Sequence, residues 1–346
     1  MANIRDVARR AGVAISTVSF ALNGTGPVSA ETRRKVMQAV EETGYHPNTL
    51  AQSLKRGHSK MLGLVLGDIG NPFFGRLLRE IEGHTAGEDY ILVVTDTNSR
   101  AERERQVLSQ LRRNQVGGVI MAPLSTGQDF AAYLQQFDMP VVLIDQDVAG
   151  SGRDFVGADH RLATRMLTDY LLRMGHERIA FLGGDPSMSA AALRLAGYRE
   201  ALEAAGLPLD PGLLAEAQYS GARAHDMTAQ LLSARNRPTA IIAANNMMAL
   251  GALRAIQELG FRCPEDVSLA GIDDVPWADV ITPRITAVCQ PIEELGAVAT
   301  RFLLDRIGAK GQGAAGQAVA GQAVAPRRHV TVPRLVPGGS CAPPAG

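Results

Sequence analysis

Two different hydrophobic patterns divide the chain. Up to residue 45 the apolar residues recur three or four positions apart, which is the period of amphipathic helices. From residue 61 to about residue 336, short apolar runs alternate with amphipathic segments, as strands alternate with helices around parallel sheets. The predicted fold class is α plus α/β: a small helical domain, then two doubly wound α/β lobes with a ligand cleft between them.

The first pattern predicts three helices. Asn3 can cap the first helix, which ends at Gly12, and Ser29 can cap the third, which ends at Gly44. The second helix should turn Val18 inward and leave several side chains outward. Those outward residues are Ile15, Ser16, Ser19 and Phe20. A helix-turn-helix DNA-binding domain has this arrangement, and a three-helix core without a ligand is the alternative.

The second pattern predicts two rounds of strand and helix. The strands are expected at residues 61–66, 90–95, 118–122, 141–145, 154–157, 178–183, 239–244 and 267–272. The helices are expected at residues 73–85, 100–114, 129–137, 160–174, 190–205, 225–234 and 247–259. Residues 308–325, rich in Gly, Ala and Gln, predict an inserted flexible loop, and residues 329–336 resume a strand pattern.

Charge is unevenly distributed along the chain. The net charge is zero, but residues 1–60 hold nine Lys or Arg against four Asp or Glu, leaving +5 there and −5 in the remainder. A basic head on a mildly acidic body indicates a nucleic-acid-binding module joined to another domain, and a solvated basic face is the alternative. The three cysteines are few and far apart, which favours a reducing compartment, and the apolar runs are too short to cross a membrane. The sequence therefore predicts a soluble cytoplasmic protein that acts at the nucleoid.

Many short segments, in order and without gaps in the head, carry a family resemblance. They are residues 4–8, 11–13, 16–19, 22–24, 28–29, 31–33 and 44–48 of the head, and 71–74, 175–176, 194–198, 249–252, 264–268 and 271–274 of the body. These segments resemble the LacI/GalR transcriptional repressors over roughly residues 3–307. The head departs from the family at Ala14, where the family often has Ser, and at Phe20, where it often has Arg. Phe20 could make only apolar contacts with bases, whereas Arg would bind guanine.

The resemblance implies three parts. Residues 1–46 would form the helix-turn-helix domain, 47–60 a hinge helix or linker, and 61–346 an effector-binding and dimerisation domain of periplasmic-binding-protein type. Its first lobe would comprise about 61–159 and 290–320, and its second about 160–289 and 321–340. Leu54 matches the hinge residue that opens a base step in the minor groove. The expected DNA-binding residues are Ile15, Ser16, Thr17, Ser19, Phe20, Asn23, Asn48, Ala51 and Leu54.

Polar and aromatic residues at or just after strand ends are the candidates for the cleft. By the resemblance, the expected effector-binding residues are Asn71, Phe73, Arg194, Asn245, Asp273 and Gln290. Arg, Asn and Asp can bind vicinal hydroxyl groups, and an aromatic ring can stack on a sugar. Helix capping by Asn245 or Asp273 and a core position for Phe73 are the alternatives. Asn246 replaces the family's usual Asp, and His160 its usual Asn.

The predicted function is a homodimeric transcriptional repressor whose affinity for a pseudo-palindromic operator is controlled by a small effector. A sugar-like effector is the first expectation, and a purine-like corepressor is the alternative. A solute-binding protein would share the body but not the head. The sequence lacks the phosphate-loop, nucleophile-elbow and zinc-helix motifs of common enzymes, so neither catalysis nor a cofactor or metal is expected.

Overall fold

The computed structural model describes residues 2–23, 26–45, 59–312 and 325–344. The chain separates into two compact units, Met1–Ser59 and Lys60–Gly346. The predicted hinge positions Asn48, Ala51 and Leu54 lie outside the described residues.

The first unit contains the three predicted helices, α1 (Ile4–Ala11), α2 (Ile15–Asn23) and α3 (Ala30–Thr43). The Asn3 side chain accepts hydrogen bonds from the backbone of Arg5 (2.9 Å) and Asp6 (3.3 Å), and the Asp6 carboxylate accepts one from Asn3 N (3.0 Å). Left-handed glycines end α1 and α3. The helices bury a small core of six side chains, namely Val7, Ala8, Val18, Ala21, Val36 and Ala39.

The second unit alternates strands and helices as the sequence predicts. Its first part runs β1 (Met61–Leu66), α4 (Pro72–Gly87), β2 (Ile91–Asp96), α5 (Ala101–Arg113), β3 (Gly118–Met121), α6 (Gln128–Gln135), β4 (Val141–Ile144) and β5 (Asp154–Ala158). Its second part runs α7 (His160–Arg173), β6 (Ile179–Gly183), α8 (Ser189–Ala204), β7 (Leu214–Glu216), α9 (Gly221–Ser233), β8 (Ala240–Ala243), α10 (Asn246–Glu258), β9 (Ser268–Ile272), β10 (Thr286–Cys289), α11 (Ile292–Gln312), β11 (Arg328–Thr331) and β12 (Arg334–Val336). Short 3-10 turns at Pro211–Leu213 and Ala278–Val280 complete it.

These strands form two six-stranded sheets, which confirms the predicted pair of lobes. The order is β11-β5-β4-β3-β1-β2 in the first lobe and β12-β10-β9-β8-β6-β7 in the second. Every pairing is parallel except the antiparallel β10–β12 pair. Near-continuous apolar strands such as β3 and β8 are buried along their whole length, because helices cover both faces of each sheet.

In the part of the second unit that the structure describes, the chain passes between the lobes three times. It crosses at Asp159 after β5, at Gln290 after β10, and at residues 332–333 between β11 and β12. The last crossing corrects a prediction, because residues 328–331 were assigned to the second lobe. They pair instead with β5 in the first sheet.

The segment after residue 307 gives a second correction. Residues 308–312, predicted as the start of a loop, continue α11 to Gln312. Ile307 is buried against the first lobe, and extending a helix from a packed turn costs little. The remainder of the predicted loop, residues 313–324, lies outside the described residues.

Candidate functional sites

Helix α2 presents one face away from the core of the first unit. Ile15 is 45% exposed and Phe20 is 41% exposed, while Val18 is fully buried. Ser16 is also exposed, and Thr17 and Ser19 are half-buried. Asn23 is the last residue of the helix. The predicted DNA-binding residues of this helix therefore include an exposed row, as contacts between a recognition helix and base edges would require.

The Phe20 ring packs on Gly26, three residues after the last residue of α2. A Cβ atom added to Gly26 would lie 2.6 Å from Cγ of Phe20, so the ring rests directly on the glycine backbone. Glycine at this position allows the close approach. The rest of the ring remains exposed, which gives α2 a fixed apolar surface where an arginine would offer hydrogen-bond donors.

A cavity of about 450 Å³ lies between the two lobes. This volume falls in the range of small-molecule sites. Its walls come from segments that follow β1, β3 and β4 of the first sheet and β8, β9 and β10 of the second. All six predicted cleft residues line it. The lining also includes residues that the sequence analysis did not select, among them Phe74, Asp145, Gln146, Tyr219 and Asn246.

Arg194 is the central cation of the cavity. It extends from α8, is 4% exposed, and donates one hydrogen bond from Nη1 to the Ala244 carbonyl (2.8 Å). Its Nη2 lies 3.2 Å from Nδ1 of His160. The guanidinium carbon lies 5.7 Å from the centre of the Tyr219 ring. Burial raises the pKa of the Tyr219 phenol, although the guanidinium opposes that shift, so the hydroxyl remains neutral.

Two half-buried carboxyl groups face Arg194. Burial disfavours ionisation of Asp145, but His160 and Arg194 outweigh it and hold the pKa of that carboxyl below its usual range. Burial raises the pKa of Asp273, which Arg194 and Gln290 offset only in part. Gln290 donates to both Asp273 oxygens, from its backbone N (3.1 Å) and from Nε2 (2.7 Å). Both aspartates adopt positive φ angles, +65° and +62°, a strained conformation of the kind that recurs at binding sites.

The two predicted asparagines begin helices. Asn245 Oδ1 accepts from Met248 N (2.7 Å), so the capping role considered for it is observed. Its Nδ2 also donates to the Tyr219 carbonyl (3.3 Å). Asn71 caps α4 and accepts a hydrogen bond from Asn246 Nδ2 across the cleft (3.1 Å). Asp273, by contrast, bonds to Gln290 and caps no helix.

Phe73 packs mainly into the core of the first lobe. It is 5% exposed and belongs to the cluster around Leu77 and Ile81. Phe74 is half-buried and meets the Phe73 ring edge to face, with centroids 5.2 Å apart. Phe74 therefore offers the cavity more aromatic surface than the residue that the sequence selected.

Comparison with known proteins identifies the family. Residues 3–48 match the model of bacterial regulatory proteins of the lacI family, and residues 168–341 match the periplasmic-binding-protein-like domain. The chain is 35% identical over 297 residues to the HTH-type transcriptional regulator DegA of Bacillus subtilis, which covers 85% of this chain and 88% of DegA. The chain belongs to the LacI family.

Two further relatives show how far the likeness of this LacI-family chain extends. The ribose operon repressor of Haemophilus influenzae is 34% identical over 308 residues, which are 89% of this chain and 92% of the relative. The crystal structure of the lac repressor dimer bound to operator and the anti-inducer ONPF superposes with a TM-score of 0.82 at 29% identity, covering 99% of each chain. The protein is thus a transcriptional regulator that binds DNA and responds to a small-molecule effector.

In this LacI-family regulator, side-chain hydrogen bonds join the two lobes at the rim of the cleft. Gln146 Oε1, from the first lobe, accepts from Ser189 Oγ (2.9 Å) and from Ala190 N (3.0 Å) at the start of α8. Thr126 Oγ1 donates to the Ser187 carbonyl (2.8 Å). Helix α8 has no side-chain cap from its own preceding residue, so Gln146 caps it from the opposite lobe. We call this contact the interlobe cap.

Among the described residues, no group of three or more His, Cys, Asp or Glu could hold a metal ion. In the same parts of the chain, no helix is both long and apolar enough to span a bilayer.

Proposed function

We propose that this regulator represses transcription as a homodimer and that a neutral, polyhydroxylated effector in the cleft controls its operator affinity. The supporting observation is that three cavity-lining side chains, each at least nine-tenths buried, have a polar atom without a hydrogen-bond partner among the described residues. These atoms are Arg194 Nε, Asn246 Oδ1 and Gln290 Oε1. One is a donor and two are acceptors, and a hydroxyl group can satisfy either kind. A sugar or polyol would supply several hydroxyl groups within the cavity.

Charge favours a neutral effector over an anionic one. The cavity lining includes one buried guanidinium, Arg194, and two half-buried carboxyl groups, Asp145 and Asp273. A sugar acid or sugar phosphate would bring a further negative charge against them, at a cost that burial increases. A purine-like corepressor is the second candidate, because the rings of Phe74 and Tyr219 both line the cavity and could stack on a base.

The proposal assigns residues 1–46 to DNA binding, 47–60 to a hinge helix, and 61–346 to effector binding and dimerisation. Two heads related by a two-fold axis would each occupy one half-site, so the operator would be pseudo-palindromic. Leu54 would enter the minor groove at the operator centre. With DNA as its partner, the protein would act in the cytoplasm at the nucleoid.

A thermal-shift screen tests the effector class. Sugars, polyols, sugar acids, sugar phosphates and nucleobases are compared, and a ligand at 100 times its dissociation constant should stabilise the protein by about 2.7 kcal/mol. We expect neutral sugars or polyols to raise the melting temperature and to change operator affinity in fluorescence anisotropy. Trp277 is the only tryptophan and follows Asp273 by four residues, so its fluorescence gives a second readout. Stabilisation by sugar acids or sugar phosphates alone would contradict a neutral effector. Stabilisation by nucleobases alone would favour a purine-like corepressor.

Phe20→Arg is expected to change which half-site the protein prefers. The substitution replaces an apolar surface with a fork of donors that binds guanine, an exchange worth about 1–3 kcal/mol of base discrimination. Selection from randomised operators measures the preference. Leu54→Ala is the control, because loss of a minor-groove wedge should weaken binding without altering the preferred half-site. Identical preferred sites for wild type and Phe20→Arg would exclude residue 20 from base recognition.

A further inference from the structure

Asn246 is a buried asparagine that joins the two lobes across the cleft. It is 2% exposed and is the first residue of α10 in the second lobe. Its Nδ2 donates a hydrogen bond of 3.1 Å to Oδ1 of Asn71, which caps α4 in the first lobe. Its Oδ1 has no hydrogen-bond partner among the described residues, although Asn246 lines the cavity. One amide therefore holds the opposite lobe with its nitrogen and leaves its oxygen for another group.

The start of α4 determines which way this amide faces. Oδ1 of Asn71 also accepts a hydrogen bond from Phe73 N, at 2.9 Å. A backbone N–H can only donate, so the atom of Asn71 that it contacts must be the oxygen. The atom of Asn246 that contacts the same oxygen must then be the nitrogen, because two amide oxygens have no hydrogen to share. Turning the Asn246 amide over would lose the bond to Asn71, so that bond keeps Oδ1 of Asn246 available as an acceptor.

An aspartate in place of Asn246 could not make this contact. Asp is the usual residue of the family here, and an acidic residue in the first turn of a helix is generally favourable. Helix α10 has no acidic residue in its first turn. A carboxylate would meet the Asn71 oxygen without a hydrogen to share, and it would offer the cavity a charged acceptor where Asn246 offers a neutral one. The asparagine thus changes both the contact between the lobes and the group presented to an effector.

The neighbouring Asn245 has a different role. Its Oδ1 accepts a hydrogen bond from Met248 N (2.7 Å), and its Nδ2 donates one to the Tyr219 carbonyl (3.3 Å). Both of its polar atoms therefore have protein partners, and its oxygen caps α10. At the start of this helix the unpartnered acceptor belongs to Asn246, the residue that the sequence analysis did not select.

We propose that Asn246 is a specificity-determining residue that accepts a hydrogen bond from one effector hydroxyl group, while Asn71 holds its amide in that orientation. The inference rests on the proposed function, because it requires a polyhydroxylated effector in the cleft. It adds a requirement to that function: at one position the effector must donate a hydrogen bond, and a group that can only accept is rejected. Because the orientation comes from the opposite lobe, the requirement applies while the lobes are joined.

Calorimetry with sugar analogues separates recognition by Asn246 from a structural contact. The probes are the neutral sugar that raises the melting temperature most in the screen, and its monodeoxy and deoxyfluoro analogues. A deoxy position has no hydrogen-bonding group, and fluorine can accept but cannot donate. At one position we expect the full-length wild type to bind both analogues about five- to a hundredfold more weakly than the parent sugar. Asn246→Leu keeps a branched side chain but removes its polar atoms, so that loss should disappear at this position and persist at the others.

Asn245→Ser is the matched control. Serine can also cap α10, so this variant keeps the start of the helix and loses the contact with Tyr219. It should change the affinities for the sugar and all its analogues by one common factor, which leaves the loss at the Asn246 position in place. If Asn246→Leu fails to fold, Asn246→Ala gives the same comparison, because alanine is favourable in a helix.

The contact with Asn71 is tested without an effector. In full-length protein labelled with nitrogen-15 on asparagine, the side-chain amide signals of Asn246 are identified by NMR through their loss in Asn246→Leu. We expect these amide protons to be protected from exchange with solvent in the wild type and to lose that protection in Asn71→Ser. Serine still caps α4, but its side chain is one atom shorter. The amide of Asn245 should exchange equally in both proteins.

Equal losses in wild type and Asn246→Leu at every position of the sugar would make the Asn246 contact a structural one and overturn the proposal. So would a deoxyfluoro analogue that binds the wild type as tightly as the parent sugar at the position where the deoxy analogue is rejected. Amide protons of Asn246 that exchange equally in wild type and Asn71→Ser would also overturn it. A screen without any neutral sugar or polyol hit would instead contradict the proposed function, and the amide result would stand independently of it.

Discussion

Arg194→Ala and Asp273→Ala are each expected to abolish the response to effector while leaving operator binding intact. Arg194 is more than nine-tenths buried in the cleft, and the Asp273 carboxylate accepts two hydrogen bonds from Gln290. Losing one side of a buried charged hydrogen bond costs about 2–5 kcal/mol, which is about 30- to several-thousand-fold in affinity. Calorimetry with a sugar or polyol found in the screen measures the loss, and fluorescence anisotropy measures operator binding.

The same variants show whether the effector acts as an inducer or as a corepressor. If the effector is an inducer they should repress constantly, and if it is a corepressor they should never repress. Arg199→Ala is the matched control, because Arg199 is on the same helix α8 but is exposed. Variants that fold, dimerise and bind the sugar with unchanged affinity would refute the assignment of the cleft.

Operator affinity is expected to fall steeply as salt concentration rises. Residues 1–60 carry nine basic and four acidic side chains, whereas acids outnumber bases in the remainder. Each phosphate contact contributes a slope of about −0.9 in log affinity against log salt, and six to ten contacts would lose about 10³- to 10⁵-fold between 50 and 200 mM. Anisotropy with a fixed operator at several salt concentrations gives the slope.

Effector binding provides the control for that measurement. A neutral ligand releases no counterions, so its affinity should change little over the same salt range. An operator affinity that is equally insensitive to salt would contradict an electrostatic role for the head.

Long periodic segments were predictable, and short ones were not. The buried runs at β1, β3 and β8 have a clear pattern over four to six residues, and the fold class follows from their alternation with helices. The half-buried strand β7 has only three residues, too few for a period to be recognised. β11 and β12 were expected as one strand at 329–336, because a sequence pattern does not reveal that Val332 and Pro333 lead from one sheet to the other.

Residues of the site were predictable where the end of the preceding strand was predictable. Asp273 follows β9 and Asn245 lies just after β8, so their convergence could be expected from the parallel sheet together with the family resemblance. β10 was not among the predicted strands, so only the resemblance placed Gln290 in the cleft. Tyr219 was missed because it follows β7, which, like β10, was not predicted. The contact between His160 and Arg194 was not predictable from local patterns, because it depends on how α7 and α8 pack after the chain has crossed between lobes.

The interlobe cap influences the effector concentration at which the regulator responds, independently of which effector it recognises. Gln146 reaches α8 only while the lobes are together, so a helix cap worth about 1 kcal/mol belongs to that arrangement alone. One kcal/mol changes the balance between joined and separated lobes about fivefold, and the apparent affinity for effector changes with that balance. Ser189 and Thr126 form hydrogen bonds between the lobes but are not among the residues that line the cavity. Substitutions there can therefore shift the dose at which genes respond without changing what the regulator recognises.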